Sequence, residues 1–227
     1  MEQLEPIALT EEDYERLNAY DNRLSDIRRS SNRDYAYYSE TFAKKIVNKV
    51  LNELYNRNRI QYNFDGGLIN DVTECLESTV TDKKDSEFIA FKQSTFSIIK
   101  GGTSDDKVLD STRVFNYLNE ALNQFTNPNI DERELKQIEE STRKDIVEKV
   151  TKIIVDTLRS DRIPTSNLEG FIKDAVYSEA GEYQAAIKNH ERDKVRSDVY
   201  TATHELLEYI YNQAKPPIDS ELSNLFK

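Results

Sequence analysis

Cysteine and histidine are scarce: Cys75, His190 and His204 are the only such residues in 227. A lone cysteine closes no internal disulfide, and the two histidines give no cluster with zinc-site spacing. Cys75 lies in Ile69-x-x-Val72-x-x-x-Leu76, a helical face, and reads as a buried structural thiol rather than a reactive one. Long hydrophobic runs are also missing. None exceeds four residues, against roughly 20 for a membrane-spanning helix. The acidic start, Met1-Glu2-Gln3-Leu4-Glu5, lacks the basic segment that opens a signal peptide. The expectation is a soluble, cytoplasmic chain with no membrane partner. Positive charge is short as well, 31 basic against 42 acidic residues for a net charge of -11, which argues against a surface built to neutralise nucleic-acid phosphates. A local basic pocket for a single nucleotide stays open. With 37% apolar residues the chain can bury one or two modest cores, which excludes a large catalytic body.

What is present is helical periodicity. Thr10 with Glu11, Glu12 and Asp13 predicts a capped helix carrying Tyr14, Leu17, Tyr20, Leu24 and Ile27, to about Arg29. Ser30-Ser31-Asn32 predicts a break, and a second helix then carries Phe42, Ile46, Val50 and Tyr55. After a turn at Asp65-Gly66-Gly67 a third helix holds Ile69, Val72 and Leu76, and Asp82-Lys83-Lys84-Asp85 reads as a solvated loop. Between Ser94 and Lys107 the β-branched and aromatic residues of Thr95-Phe96-Ser97-Ile98-Ile99, followed by Gly101-Gly102, predict a β-hairpin returning through Lys107-Val108-Leu109. Phe88, Phe91, Thr95 and Ile99 fit a helix over the same stretch. From Ser111 a helix carries Val114, Phe115, Leu118, Leu122 and Phe125, and Asn127-Pro128-Asn129 ends it. Asp131 then caps a helix of roughly 30 residues to Ser160. Pro164 closes that helix, and Thr165 or Ser166 caps the next, whose apolar face is Leu168, Phe171, Ile172 and Ala175.

The halves echo one another. Lys44-x-Ile46-Val47-x-Lys49-Val50 matches Lys144-x-Ile146-Val147-x-Lys149-Val150 at an offset of 100, and Leu9-Thr10 stands 100 before Leu109-Asp110. Arg59-Ile60 matches Arg162-Ile163, and Gly67-x-Ile69-x-Asp71 matches Gly170-x-Ile172-x-Asp174, both at 103. Agreement of Lys, Arg, Gly and Asp at a nearly constant offset predicts a tandem duplication.

The order Arg162-Ile163-Pro164-Thr165, amphipathic helix, Glu179-Ala180-Gly181-x-Tyr183, then His190-Glu191-Arg192 resembles the second half of an ATP-cone, the regulatory domain of ribonucleotide reductases and their zinc-ribbon repressors. In that family a hairpin leads into a Phe-Asp-x-x-Lys-Ile helix start; here Ile98-Ile99-Lys100-Gly101-Gly102 and Leu109-Asp110-Ser111-Thr112-Arg113-Val114 stand for these motifs. The resemblance covers about Ser94 to Val199. It implies a mainly α fold of two tandem ATP-cone-like units: a degenerate one over 1-93 without a hairpin, a fuller one over 94-214, and a C-terminal tail, 215-227. The cysteine count fits neither a reductase's radical chemistry nor the repressor's zinc ribbon.

By resemblance the ligand is an adenine nucleotide, ATP or dATP, with or without magnesium. Lys100, Asp110, Arg113 and Val114 would meet it from the hairpin and first helix, Thr165 would face the base, and Arg192 and Lys194 would reach the phosphates. Ordinary surface cations and helix caps are the alternative reading of the same residues. Gly101 stands where the family has an arginine, a contact worth roughly 1.5 to 3 kcal/mol. The implied function is a non-enzymatic, nucleotide-responsive regulator of a partner such as a ribonucleotide reductase subunit, with a homo-oligomer also open. The alternatives are a helical adaptor without ligand and an acidic interaction protein that mimics nucleic acid. In the tail, Leu222, Leu225 and Phe226 would share one face of a short helix after Pro216-Pro217, against the alternative of a frayed end.

Overall fold

Two helices begin in the same way. The Thr10 hydroxyl accepts the Asp13 N–H at 3.2 Å while the Asp13 carboxylate accepts from the Thr10 N–H at 2.6 Å and its hydroxyl at 2.8 Å, a reciprocal cap. One hundred residues later the Asp110 carboxylate accepts the Arg113 N–H at 3.0 Å. The computed structural model describes residues 7-58, 61-62, 66-102 and 108-214. In order these form β1 (Ile7–Ala8), α1 (Glu11–Asn58), α2 (Gly66–Gly101), β2 (Val108–Leu109), α3 (Ser111–Thr126), α4 (Glu132–Ser160) and α5 (Glu169–His190); a π-helical turn over Glu191–Val195 and α6 (Arg196–Ala214) come next. The chain is mainly helical. Among the described residues, no helix is long and apolar enough to cross a membrane.

Helix α1 runs unbroken for 48 residues, so the break expected at Ser30-Ser31-Asn32 is absent. Each Ser or Asn costs a helix interior about half a kcal/mol and, unlike proline, removes no backbone donor. Core residues on both sides, Leu24 before and Tyr35 and Phe42 after, hold the helix through that stretch. Helix α2 likewise continues through Lys83-Lys84-Asp85, expected to be loop.

The expected hairpin is also absent: Ser94 to Gly101 are the last turns of α2. Its β-branched residues serve a helical face. Thr95 is fully buried because its hydroxyl donates to the Phe91 carbonyl at 2.8 Å, and Phe88, Phe91 and Ile99 share its side. Burial of one face at helical spacing outweighs a β propensity that spans only about 1 kcal/mol. Residues 103-107 of that expectation lie outside the described residues. The two short strands join distant parts of the chain instead, antiparallel, with Ile7 opposite Leu109 and Ala8 opposite Val108. Asp131 caps α4, its carboxylate accepting the Arg133 N–H at 3.1 Å.

The chain folds into two units, and neither is a consecutive half. The first comprises Met1–Arg29, Glu87–Asn129 and Arg192–Lys227; the second comprises Ser30–Ser86 and Ile130–Glu191. The compact units therefore do not divide at residue 93. The first unit buries Tyr20, Leu24, Phe91, Leu118, Val199 and Ile210, among others, with Tyr20 and Thr203 sharing a buried hydrogen bond of 2.9 Å. The second buries Ile46, Val50, Leu76, Ile154, Ile172 and Tyr183. There the Tyr183 hydroxyl donates to the Leu76 carbonyl at 3.0 Å and lies 2.8 Å from the Ser39 hydroxyl.

Candidate functional site

The residues read as a nucleotide site divide between the units. Thr165 belongs to the second and the other six to the first. Thr165 is buried and holds the α4–α5 connection, its hydroxyl accepting from the Arg159 guanidinium at 3.0 Å and its carbonyl from the Leu168 N–H at 2.9 Å. It does not cap α5, and neither does Ser166: Leu168 takes that position without a side-chain bond, because the turn at Thr165 to Leu168 sets the helix start later. Val114 is fully buried in the first core and touches no solvent. A Cβ added at Gly102 would come within 2.0 Å of its methyl group, so Gly102 is a seat for Val114 rather than part of a hairpin turn.

Lys100 is exposed in the last turn of α2 and Arg113 in the first turn of α3, where its guanidinium lies 5.9 Å from the Tyr117 ring centre. The Asp110 N–H donates to the Gly102 carbonyl at 2.8 Å, which fastens the start of α3 to the end of α2. Lys100, Asp110 and Arg113 therefore belong to one junction, although Asp110 spends its carboxylate on the helix cap. Arg192 and Lys194 are exposed on the π-helical turn, and Arg192 is paired with Asp193 at 2.7 Å.

The motif residues have structural work as well. Arg162 adopts a left-handed backbone, φ 61°, at the end of α4. Its N–H reaches the Arg159 carbonyl at 3.0 Å and the Ile163 N–H reaches that of Leu158 at 2.9 Å, the helix stop that glycine usually makes. Gly181 leaves room for Arg143, whose guanidinium lies 3.9 Å from the Tyr177 ring centre and donates to the Tyr177 carbonyl. Glu179 is buried and accepts from Lys49 at 2.9 Å. Together with Lys45, which pairs with Glu182 at 3.7 Å, these residues line an open polar groove that includes Asn48, Asn52 and Glu53. Both cations there face carboxylates of the same groove.

Sequence reasoning gave His190 no partner. Its ring is buried between the Tyr35 and Tyr38 rings, 5.7 and 5.6 Å away, and faces the Asp34 carboxylate at 3.5 Å. The buried Glu191 pairs with Lys84 at 3.5 Å. A signal was available: Asp34, Tyr35 and Tyr38 share one side of a helix. Cys75 is half-buried and packs against the second core, and burial raises its thiol pKa, consistent with an inert thiol. Among the described residues, no group of three or more His, Cys, Asp or Glu could hold a metal ion. The tail, 215-227, lies outside the described residues.

The surface is rich in tyrosine. Tyr14, Tyr117, Tyr200 and Tyr211 are 43 to 51% exposed on the first unit, and Tyr37, Tyr55 and Tyr177 are 40 to 67% exposed on the second. No family model, curated protein or solved structure matches the chain.

Proposed function

We propose that the protein is a non-catalytic helical adaptor that binds another protein through tyrosine-bearing helix faces. The observation that carries this reading is the set of exposed tyrosines, Tyr37 most of all at 67%. Tyrosine offers a large contact area for only two side-chain torsions, and Tyr with Arg dominates protein interface centres. The pairing of Arg113 with Tyr117 and of Arg143 with Tyr177 sets both residue types side by side on the surface. A net charge of -11 favours a partner with a basic face. The test is site-specific photo-crosslinking in the native host from Tyr37, Tyr117 and Tyr211, replaced one at a time by a photoreactive phenylalanine. A discrete partner captured from at least one position, and lost when that tyrosine's neighbours are changed to Ala, is the expected result; only diffuse products from all three would overturn the reading.

A second reading, a nucleotide-responsive regulator of a ribonucleotide reductase subunit, rests on the junction where Asp110 N–H meets the Gly102 carbonyl and brings Lys100 and Arg113 to one end of the first unit. Millimolar ATP or dATP should leave the melting temperature unchanged for an adaptor. A rise that disappears in Lys100→Ala and Arg113→Ala would favour the nucleotide reading, since binding to the folded state alone contributes about 2.7 kcal/mol at a hundredfold excess over Kd.

A further inference from the structure

The two halves of the chain recur with a regularity that composition does not require. Within the first unit, the caps Thr10 and Asp110 are 100 apart, as are the backbone bonds from Tyr14 to Thr10 and from Val114 to Asp110. Ala8 stands directly opposite Val108, also 100 apart. An antiparallel pair in which a residue faces its own counterpart is the pairing that a two-fold axis generates.

Within the second unit, the buried series Leu68, Val72, Leu76 and Val80 of α2 recurs 103 residues later as Phe171, Ala175, Glu179 and Tyr183 of α5. The Glu40–Lys44 ion pair of α1 recurs as Glu140–Lys144 of α4. Lys49 reaches α5 at Glu179, and Lys149 lies close enough to α2 to bear on the Cys75 thiol. The chain leaves the first unit after Arg29 and again after Asn129, 100 apart, and re-enters it at Glu87 and at Arg192, 105 apart.

Chance can align four-residue steps on two helices, but caps, strand register and unit passages are not set by helical period. We infer that residues 7-102 and 108-214 are two copies of one helical half, each built to bind the other, and that every core of this protein is an interface between them. The kind of partner this surface fits is therefore a second copy of itself, which the chain supplies covalently.

The offset grows in two steps, from 100 at Val50 and Val150 to 103 at Leu68 and Phe171, and then by one further residue, which the structure locates. Along the continuation of α2, buried Phe91, Thr95 and Ile99 correspond to buried Val195, Val199 and Thr203, now at 104. The change from 103 to 104 falls between Tyr183 and Val195, where the π-helical turn Glu191–Val195 lies. A π-helical turn lets a helix absorb one extra residue while the turns beyond it keep their facing. The extra residue also brings a difference in chemistry: at 103 before His190 and Glu191 stand Glu87 and Phe88, of which Phe88 lies in an apolar core.

The test uses the full chain with single-residue deletions. Deleting Asp193, which is exposed and paired with its neighbour Arg192, should convert the turn to α-helix and keep both buried faces in place. That variant should melt cooperatively within a few degrees of the parent. Deleting exposed Ser178 from the regular part of α5 should rotate every later core residue by about 100° and abolish cooperative melting. As the reciprocal, inserting one alanine after Ala90 in α2 should be tolerated better than inserting one after Glu74. Equal damage from the Asp193 and Ser178 deletions, or equal damage from the two insertions, would overturn the inference.

Discussion

Adjacent glycines can have opposite jobs, and Gly101 and Gly102 separate them. A Cβ at Gly101 meets nothing within 4 Å, and the residue is helical, so Gly101→Ala should raise stability by about 0.5 to 1 kcal/mol. Gly102→Ala should lower it by about 1 to 3 kcal/mol, the range for overpacking, because the new methyl collides with Val114. Chemical denaturation of the two variants side by side checks both signs. A second residue-scale expectation concerns acid. Burial would raise the Asp13 carboxyl, but hydrogen bonds from the Tyr209 hydroxyl and from the Thr10 N–H and hydroxyl prevail and hold it below the ordinary 3.8. The stabilisation is present above that value and disappears as pH falls through the lower folded value. Tyr209→Phe removes a donor, so its acid unfolding midpoint should move to higher pH. The same pair acts in alkali: burial and the Asp13 bond push Tyr209 up to about 12, so its neutral form stabilises the fold below about pH 10 and that contribution is lost as pH rises through 12. Circular dichroism monitored from pH 2 to 12 for both proteins measures each arm.

At the scale of elements, caps are the most legible feature. Asp110 reads from the sequence both as a ligand contact and as a cap, and it caps α3; Asp110→Ala should cost about 1 kcal/mol while Asp110→Ser recovers most of it. A melting temperature unchanged in Asp110→Ala would refute the role. Asp131 and the span of α4 are equally plain, because an acidic cap after Asn127-Pro128-Asn129 leaves little choice of start. What the sequence conceals is continuity. Ser30-Ser31-Asn32 and Lys83-Lys84-Asp85 look like punctuation, yet neither stretch contains a proline or a residue in the left-handed conformation that ends α4 at Arg162. Thr95 and Ile98-Ile99 carry strand propensity, but the spacing of Phe88, Phe91, Thr95 and Ile99 decides the outcome through burial. The candidate site is less legible still. Val114 and Thr165 are buried for packing and for a turn, and a motif order alone does not reveal which side chains face inward. The pairing of His190 with Asp34 spans 156 positions, so the shared face of Asp34, Tyr35 and Tyr38 marks one side of the contact without naming its partner.

On the whole molecule, the interleaving of segments leads to an expectation about cutting the chain. Each unit takes helices from both sides of residues 103-107, so a protease site placed there and cleaved should leave two pieces that co-elute as one 1:1 complex and part only in denaturant. Separation of the pieces in native buffer would show that each side folds on its own. The bond between Tyr20 and Thr203 closes a sequence distance of 183 residues, and Leu206, Leu207 and Ile210 complete the same core. During vectorial synthesis, then, α1 emerges long before the α6 residues that complete its cover, and its half-finished apolar stripe must wait while the 183 residues from Tyr20 to Thr203 are made. Contacts this distant also slow the search for the native state, because the loop-closure cost precedes the gain. Such a nascent chain is a natural client for a chaperone that shields exposed helices until α6 arrives.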